Sequence, residues 1–233
     1  MSDPTVAGAF VPGHVTGLFT VNRTADPATT GSRGAGFTLE DGVTVTVRPD
    51  TERAVVLDGS QTDIESVTRV LDALDVEATV EIGTDLPIGT GFGLSGGMGL
   101  GTALAANEAF GLARTETELV RVAHVADVVA GTGLGDVVAQ ARGGLVLRLE
   151  PGAPPHGRLD GIPGTERVEF LALGELSTPA VLTDRPDEIT AAGTRALEAL
   201  QSEPTRERFM ETASQFSDDV GLTTPRVRSI IDD

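Results

Sequence analysis

The chain has 233 residues, of which 39% are hydrophobic, so it can bury a core in one large domain or two small lobes. Asp and Glu total 35 against 17 Lys and Arg, and the formal net charge of -18 disfavours nucleic acid and anionic membranes as partners. There is no cysteine, which excludes a disulfide framework, a thiolate nucleophile and a cysteine metal site.

No lysine occurs in the sequence, so every basic residue is arginine. P-loop enzymes and protein kinases both need a lysine on the nucleotide phosphates, and both classes are therefore excluded as usually built. An acidic surface without lysine is also typical of proteins adapted to high salt. The sequence shows neither a basic segment followed by an apolar run at the N-terminus nor a long apolar stretch, and we expect a cytoplasmic protein with no membrane partner.

The first 50 residues are predicted to form β-structure. Residues 6–11 read as a strand that breaks at Pro12-Gly13-His14, and residues 36–47 read as two alternating runs joined by an Asp41-Gly42 hairpin turn. Between them, residues 22–34 form a polar loop. This part of the chain is therefore expected to supply strands and an exposed connection.

Helices and strands alternate after this β region. Residues 63–74 carry apolar side chains at the spacing of one helical face, and residues 76–82 follow as a strand. Seven glycines crowd residues 89–101, before a helix-forming run at 102–110. Thr115 and Glu118 form a capping-box pattern that predicts a helix start.

That helix is expected to end near Ala130, and a short helix follows Asp136. Gly143-Gly144 ends the short helix and residues 145–149 return as a strand. In the last third, residues 151–163 are rich in Pro and Gly and read as a linker. The remaining predictions are a strand at 168–173, helices at 187–201 and 205–220, and a further helix that begins near residue 229.

The glycine-crowded stretch lies between a predicted strand and a predicted helix. Backbone N–H groups without side chains, next to a helix N-terminus, form a cradle for phosphate, although a tight turn is the simpler alternative. A nicotinamide dinucleotide fold fits poorly, because the loop lies in mid-chain after several β segments. The candidate nucleotide-binding residues are Pro87, Gly89, Gly91, Gly93, Leu94, Ser95, Gly96 and Gly97.

Three motifs in order resemble those of the GHMP kinase superfamily. The second family motif, Pro-x-x-x-Gly-Leu-Gly-Ser-Ser-Ala-Ala, is similar to residues 87–97, where Leu94 replaces one serine and Gly96-Gly97 replace the alanines. The segment that carries the family's catalytic aspartate, in which six residues separate the Asp from a Gly-Gly pair, is similar to residues 133–144. The first motif, Ala-Pro-Gly-Lys after a strand, is similar to residues 10–14, with His14 in place of the lysine.

This resemblance implies a role for each matching position. Asp136 would orient or deprotonate the hydroxyl that is phosphorylated, whereas a helix N-cap is the structural alternative. Ser95 and Asp127 would hold Mg²⁺ beside the ATP phosphates, whereas a solvated helix carboxylate is the alternative for Asp127. His14, Arg33 and His124 are candidate substrate contacts, and an ordinary core or surface role is the alternative for each.

Within the superfamily, residues 8–150 resemble the archaeal pantoate kinases, on the basis of residues 11–17, 31–36, 123–127 and 132–136. That resemblance implies ATP-dependent phosphorylation of the primary hydroxyl of pantoate, giving 4-phosphopantoate on the archaeal route to coenzyme A. It also implies an α+β GHMP kinase fold, with a ribosomal-protein-S5-like N-terminal lobe at 1–150 and an incomplete ferredoxin-like C-terminal lobe at 151–233. The sequence leaves open whether the protein forms a homodimer.

One family feature is not found in the sequence. Nothing after Gly164 resembles the third glycine-rich motif of these kinases, so the motif is lost or the chain is short. The alternatives are a kinase for another hydroxy acid or alcohol, such as homoserine or mevalonate, and a non-catalytic nucleotide-binding remnant. An RNA-binding module of similar N-terminal topology is opposed by the acidic balance.

Overall fold

The computed structural model describes residues 5–171 and 185–231. The strands are β1 (Ala7–Phe19), β2 (Gly34–Pro49), β3 (Ala54–Leu57), β4 (Ser60–Thr62), β5 (Ala78–Thr84), β6 (Leu145–Glu150) and β7 (Arg158–Ile162). The helices are α1 (Glu65–Leu74), α2 (Leu94–Phe110), α3 (Glu116–Ala130), α4 (Asp136–Arg142), α5 (Pro186–Ser202), α6 (Arg206–Asp219) and α7 (Pro225–Ile231). Within these ranges, every helix is too short or too polar to cross a bilayer.

The described strands form one mixed sheet around the long strand β2. One edge of β2 pairs with β1, while the other pairs with β5 near its end and with β6 near its start. The resulting order is β4-β3-β5-β2-β6-β7, with β1 beside β2, and only β3 and β5 run parallel. Because β1 and β6 both flank the start of β2, side chains from these distant segments come together there.

Two hydrophobic clusters stabilise this sheet. The larger one packs α1, α2 and α3 on valines of β1, β2 and β5, including Val11, Val45 and Val80. The second packs α5 and α6 on β1 and β6 through residues such as Leu197 and Phe216. Burial of these aliphatic groups is the main favourable contribution to the fold of a chain so poor in aromatic residues.

The prediction of a break at Pro12-Gly13-His14 and of a hairpin at Asp41-Gly42 was wrong. β1 and β2 run through both sites, and Pro12 opposes Gly42 whereas His14 opposes Thr38. A register shift between Pro12 and His14 absorbs the extra residues of β2. The two alternating runs therefore pair with β1, not with each other, and the irregular backbone turns His14 into the interior.

The helix predicted at 102–110 begins earlier, at Leu94, inside the glycine-crowded stretch. Glycine disfavours an isolated helix, but α2 is buried against the sheet and three helices, and tertiary packing decides its structure. A methyl group on Gly101 would lie 2.6 Å from a Val45 methyl carbon, so the close approach of α2 to β2 requires glycine there.

The C-terminal part of the chain differs from prediction in two places. The expected linker contains β7, whose residues 158–162 pair with β6. Residues 168–171 of the predicted strand lie outside any helix or strand, and residues 172–173 fall outside the described ranges. The periodic helices α1, α5 and α6 and the Thr115 capping box are confirmed. The division at residue 150 stays a prediction.

Candidate active site

The glycine loop connects β5 to the buried helix α2. Gly91 and Gly93 have φ values of 94° and 62°, in the left-handed region that side chains disfavour. A methyl group on Gly91 would meet no atom within 4 Å, so the loop has an open side. Gly93 precedes α2 and no side chain caps the helix, so backbone N–H groups of its first turn are available to an anion.

A carboxylate and two hydroxyl groups cluster beside the start of α2. The Asp127 Oδ1 atom lies 3.2 Å from Ser95 Oγ and accepts a 2.6 Å hydrogen bond from Thr132 Oγ1, and the two hydroxyl oxygens are 2.8 Å apart. Burial raises the pKa of Asp127 to about 7, with the nearby Asp136 charge adding to the effect and the two hydroxyls opposing it. Among the described residues no basic side chain pairs with Asp127.

The second carboxylate, Asp136, has a different environment at the first residue of α4. His14 Nδ1 donates a 2.7 Å hydrogen bond to Asp136 Oδ1, and the carboxylate is 23% exposed. Burial by itself would raise the pKa of Asp136, but the His14 hydrogen bond and the positive charge of Arg148 outweigh it, so the pKa is lowered. Asp136 is therefore ionised over a wide pH range.

His14 is fully buried between Asp136 and Arg148. Arg148 Nη1 lies 3.4 Å from His14 Nε2, and a guanidinium can only donate, so the proton of neutral His14 belongs on Nδ1. Burial and the charge of Arg148 lower the pKa of His14, although Asp136 opposes the effect. The ring therefore stays neutral and donates to Asp136.

Arg148 projects from β6 and is only 2% exposed. Its Nε atom has no hydrogen-bond partner, and in the described chain no carboxylate forms an ion pair with it. A methyl group on Gly135 would lie 2.9 Å from Arg148 Nε and 2.6 Å from Ser32 Oγ, so the close packing of both side chains against this backbone requires glycine. Burial of a cation with an unpaired N–H donor is energetically unfavourable unless an anion binds to it.

The glycine loop and both carboxylates border one space. A methyl group on Gly93 would lie 3.0 Å from Asp136 Oδ1. One on Gly133 would overlap Asp127 Oδ2 and lie 3.2 Å from Asp136 Oδ2. Ser95 and Asp136 are 41 positions apart in the sequence, and the fold brings them close together, Ser95 through its contact with Asp127.

Two predicted substrate contacts make other interactions. Arg33 Nε donates to the Leu149 carbonyl, and His124 Nε2 lies 2.9 Å from the Thr30 carbonyl, not next to Asp127. Their roles toward a substrate stay predictions. Two polar site residues are not among the candidates that the motifs give: Arg148, and Thr132, although the run from 132 to 136 contains Thr132.

The donor set fits a magnesium ion that is shared with phosphate. Within residues 5–171 and 185–231 no cluster of three or more acidic or histidine side chains could hold a metal without help. Mg²⁺ commonly takes one or two carboxylates and completes its shell with phosphate oxygens and water. Asp127, Ser95 and Thr132 offer a carboxylate and two hydroxyls beside the glycine loop.

Comparison with known proteins identifies the family of this chain. The family described as GHMP kinases N terminal domain matches residues 64–144. The pantoate kinase of Methanocaldococcus jannaschii is 30% identical over 231 residues, which cover 96% of this chain and 84% of the relative. That of Thermococcus kodakarensis is 38% identical over 229 residues, or 92% and 76%. The chain belongs to the pantoate kinase family of the GHMP kinases.

A solved structure supports the same assignment. A protein described as a phosphotransferase related to the CoA biosynthesis pathway is 33% identical to this GHMP kinase, with a TM-score of 0.83. The match covers 97% of this chain and 79% of the other. The predicted α+β GHMP kinase fold is confirmed.

Proposed function

We propose that this GHMP kinase transfers the terminal phosphoryl group of ATP to the primary hydroxyl of pantoate, giving 4-phosphopantoate and ADP. Its relatives named pantoate kinase support the substrate. The observation that carries the reaction class is the close approach of the glycine loop, Asp127 and Asp136, because phosphoryl transfer needs a phosphate cradle, charge neutralisation and a positioned hydroxyl around one point.

The donor side of the site is assigned to the glycine loop and the Asp127 cluster. Free N–H groups at the start of α2 would bind phosphate oxygens, and Asp127 with Ser95 and Thr132 would hold Mg²⁺. The ion, when bound, supplies positive charge that neutralises the phosphates. A buried carboxylate without a basic partner is well suited to this role, because a cation would replace its lost hydration.

The acceptor side is assigned to Asp136, held by His14. An ionised Asp136 would accept the hydrogen bond of the substrate hydroxyl and direct its oxygen to the terminal phosphorus. The new P–O bond forms as the bond to the leaving ADP oxygen breaks, and the hydroxyl proton passes to Asp136. Its lowered pKa favours orientation over early proton removal, which suits a loose transition state.

Arg148 would bind the carboxylate of the substrate. Its buried guanidinium contacts His14, so a carboxylate bound there belongs to a molecule whose hydroxyl reaches Asp136. Arginine offers a planar fork that matches a carboxylate. A small hydroxy acid therefore fits the site better than a neutral alcohol, and Arg33, on the neighbouring loop, stays a second candidate.

The test is ADP release with ATP and Mg²⁺ in high salt across a panel of pantoate, homoserine, mevalonate and a matched alcohol without a carboxylate. We expect the highest kcat/KM with pantoate, and little activity with the alcohol. Equal turnover of the alcohol would contradict the role of Arg148. No ADP release with any acceptor, in a chain that still binds the nucleotide, would favour a non-catalytic remnant.

Other features of this assignment are proposals of the same kind. They are the use of Mg²⁺, a cytoplasmic location, assembly as a homodimer, adaptation to high salt, and lobes that divide near residue 150. The acidic composition without lysine supports the salt adaptation. Activity and unfolding measured from low to high salt test it directly.

A further inference from the structure

A single amide side chain connects the backbone segments that build the two halves of the site. Gln140 lies on α4, one turn after Asp136, and is 4% exposed. Its Nε2 group donates to the carbonyl of Pro12, at 2.9 Å, and to the carbonyl of Gly93, at 3.0 Å. Because both acceptors are carbonyls, the orientation of the amide is fixed.

Gly96 and Gly97, in the first turn of α2 after the glycine loop, leave room for this amide side chain. A methyl group on Gly97 would lie 3.1 Å from Gln140 Nε2, and one on Gly96 would lie 3.2 Å from Gln140 Oε1. Both contacts are tighter than ordinary packing allows. The superfamily motif has alanine at these two positions, so the glycines here coincide with a side chain that needs the space.

The two carbonyls that Gln140 holds belong to segments that position reacting groups. Pro12 precedes His14 by two residues, and the backbone N–H of His14 donates to the Phe92 carbonyl in the loop. Gly93 lies directly against Asp136. A shift of the amide would therefore change the spacing between the phosphate loop, His14 and Asp136 together. Within the part of the chain that the structure describes, the Oε1 atom has no hydrogen-bond partner, so the amide acts through its donor group.

We propose that Gln140 is a positioning residue, which fixes the distance between the phosphate loop and the pair formed by His14 and Asp136. This proposal rests on the proposed function. It places Gln140 outside the groups that touch substrate, so its loss should slow the chemical step more than it weakens substrate binding. Misplacement of reacting groups by about 1 Å can cost up to about 100-fold in rate.

The test compares Gln140→Met, which keeps the length of the side chain but cannot donate, with Gln201→Met, a control at an exposed glutamine of α5. We expect kcat to fall about 10-fold to 100-fold in Gln140→Met, with the KM for ATP and for the hydroxy acid changed less than about threefold. The control should match the wild type. A kcat within about twofold of the wild type, with only a lower melting temperature, would overturn the proposal.

A second readout does not depend on turnover. The imidazole ¹⁵N shifts of His14 report which ring nitrogen carries the proton and should change in Gln140→Met but not in Gln201→Met. Unchanged His14 shifts would contradict the proposal even if the wild type proved inactive, which would by itself refute only the proposed function. If Gln140→Met does not fold, the test uses Gln140→Asn, whose side chain is one methylene shorter. A kcat at least about fivefold lower than that of the wild type would support the proposal, and an unchanged kcat would overturn it.

Discussion

The two carboxylates of the site are both shielded from water, yet their surroundings drive their pKa values in opposite directions. Asp136 has His14 as a hydrogen-bond donor and Arg148 as a nearby cation, so its charge is compensated within the chain. Among the described residues, Asp127 has hydrogen-bond contacts only with the hydroxyls of Ser95 and Thr132, and burial raises its pKa to about 7. Asp136 can therefore accept a hydrogen bond from a neutral hydroxyl, whereas no cation in the described part of the chain compensates Asp127.

This contrast supports the roles proposed for the donor and acceptor sides of the site, independently of the sequence motifs. A carboxylate that stays ionised can accept a proton from a substrate hydroxyl, while one that is costly to ionise gains most from a bound metal ion. Gly133 lies against both carboxylates and Gly93 lies against Asp136, so the two carboxylates are close to each other and to the glycine loop. Substitutions that remove each charge should therefore give different signatures.

The largest effect is expected from Asp136→Asn. The amide keeps the shape of the side chain but cannot take the hydroxyl proton, so kcat should fall by about 10³-fold with only small changes in the KM for ATP. ADP release with pantoate measures the effect, and the exposed Asp160→Asn is the matched control. Undiminished turnover in Asp136→Asn would contradict the proposed role of Asp136 toward the substrate hydroxyl.

Asp127→Asn should separate activity from stability. We expect kcat/KM for ATP to fall by about 100-fold and the Mg²⁺ dependence to shift to higher concentration, because the amide carries no charge for the metal. In chelator at pH 8, however, the variant should be at least as stable as the wild type, since burying ionised Asp127 without a cation is unfavourable. Thermal unfolding checks this, and a clearly less stable variant would contradict the assignment.

Arg148→Met is expected to act mainly on the acceptor substrate. Loss of hydrogen bonds to a charged group is worth about 1.5–3 kcal/mol, which corresponds to a KM for pantoate that is raised by about 10-fold to 100-fold. The KM for ATP should change little. Arg158→Met removes an exposed arginine of β7 and is the control. If the alcohol without a carboxylate lost as much activity as pantoate, Arg148 would not be a carboxylate ligand.

The sequence predicted more of this site than of the sheet beneath it. The resemblance to the GHMP kinase motifs brought Ser95, Asp127 and Asp136 into one hypothesis, because each of those motifs is a short segment that can be matched locally. Arg148 could not be found in this way, since it reaches His14 only through the pairing of β6 with β2. Its neighbours in sequence carry no pattern that marks a buried cation.

The errors in secondary structure have the same origin. Asp41-Gly42 has the composition of a tight turn, but β1 offers a continuous partner for the residues on both sides, and sheet pairing overrides the local preference. The glycines of α2 likewise disfavour a helix until the sheet and the flanking helices bury it. Local patterns succeeded where one element determines the structure and failed where two distant ones do.

The smallest effect expected concerns the pH dependence of stability. Burial holds the pKa of His14 below its ordinary value of 6.5, so below that pH the unfolded chain takes up a proton that the folded chain does not, and His14 makes stability fall as pH is lowered. Asp127, whose pKa is raised, acts in the opposite direction as pH falls through about 7, so only a difference between variants isolates His14. From pH 7.5 to 5.5, denaturant unfolding should show wild type losing stability relative to His14→Gln, whereas the exposed His156→Gln should follow the wild type. Parallel profiles for all three proteins would mean that His14 carries its proton in the folded state, and the neutral donor to Asp136 would have to be abandoned.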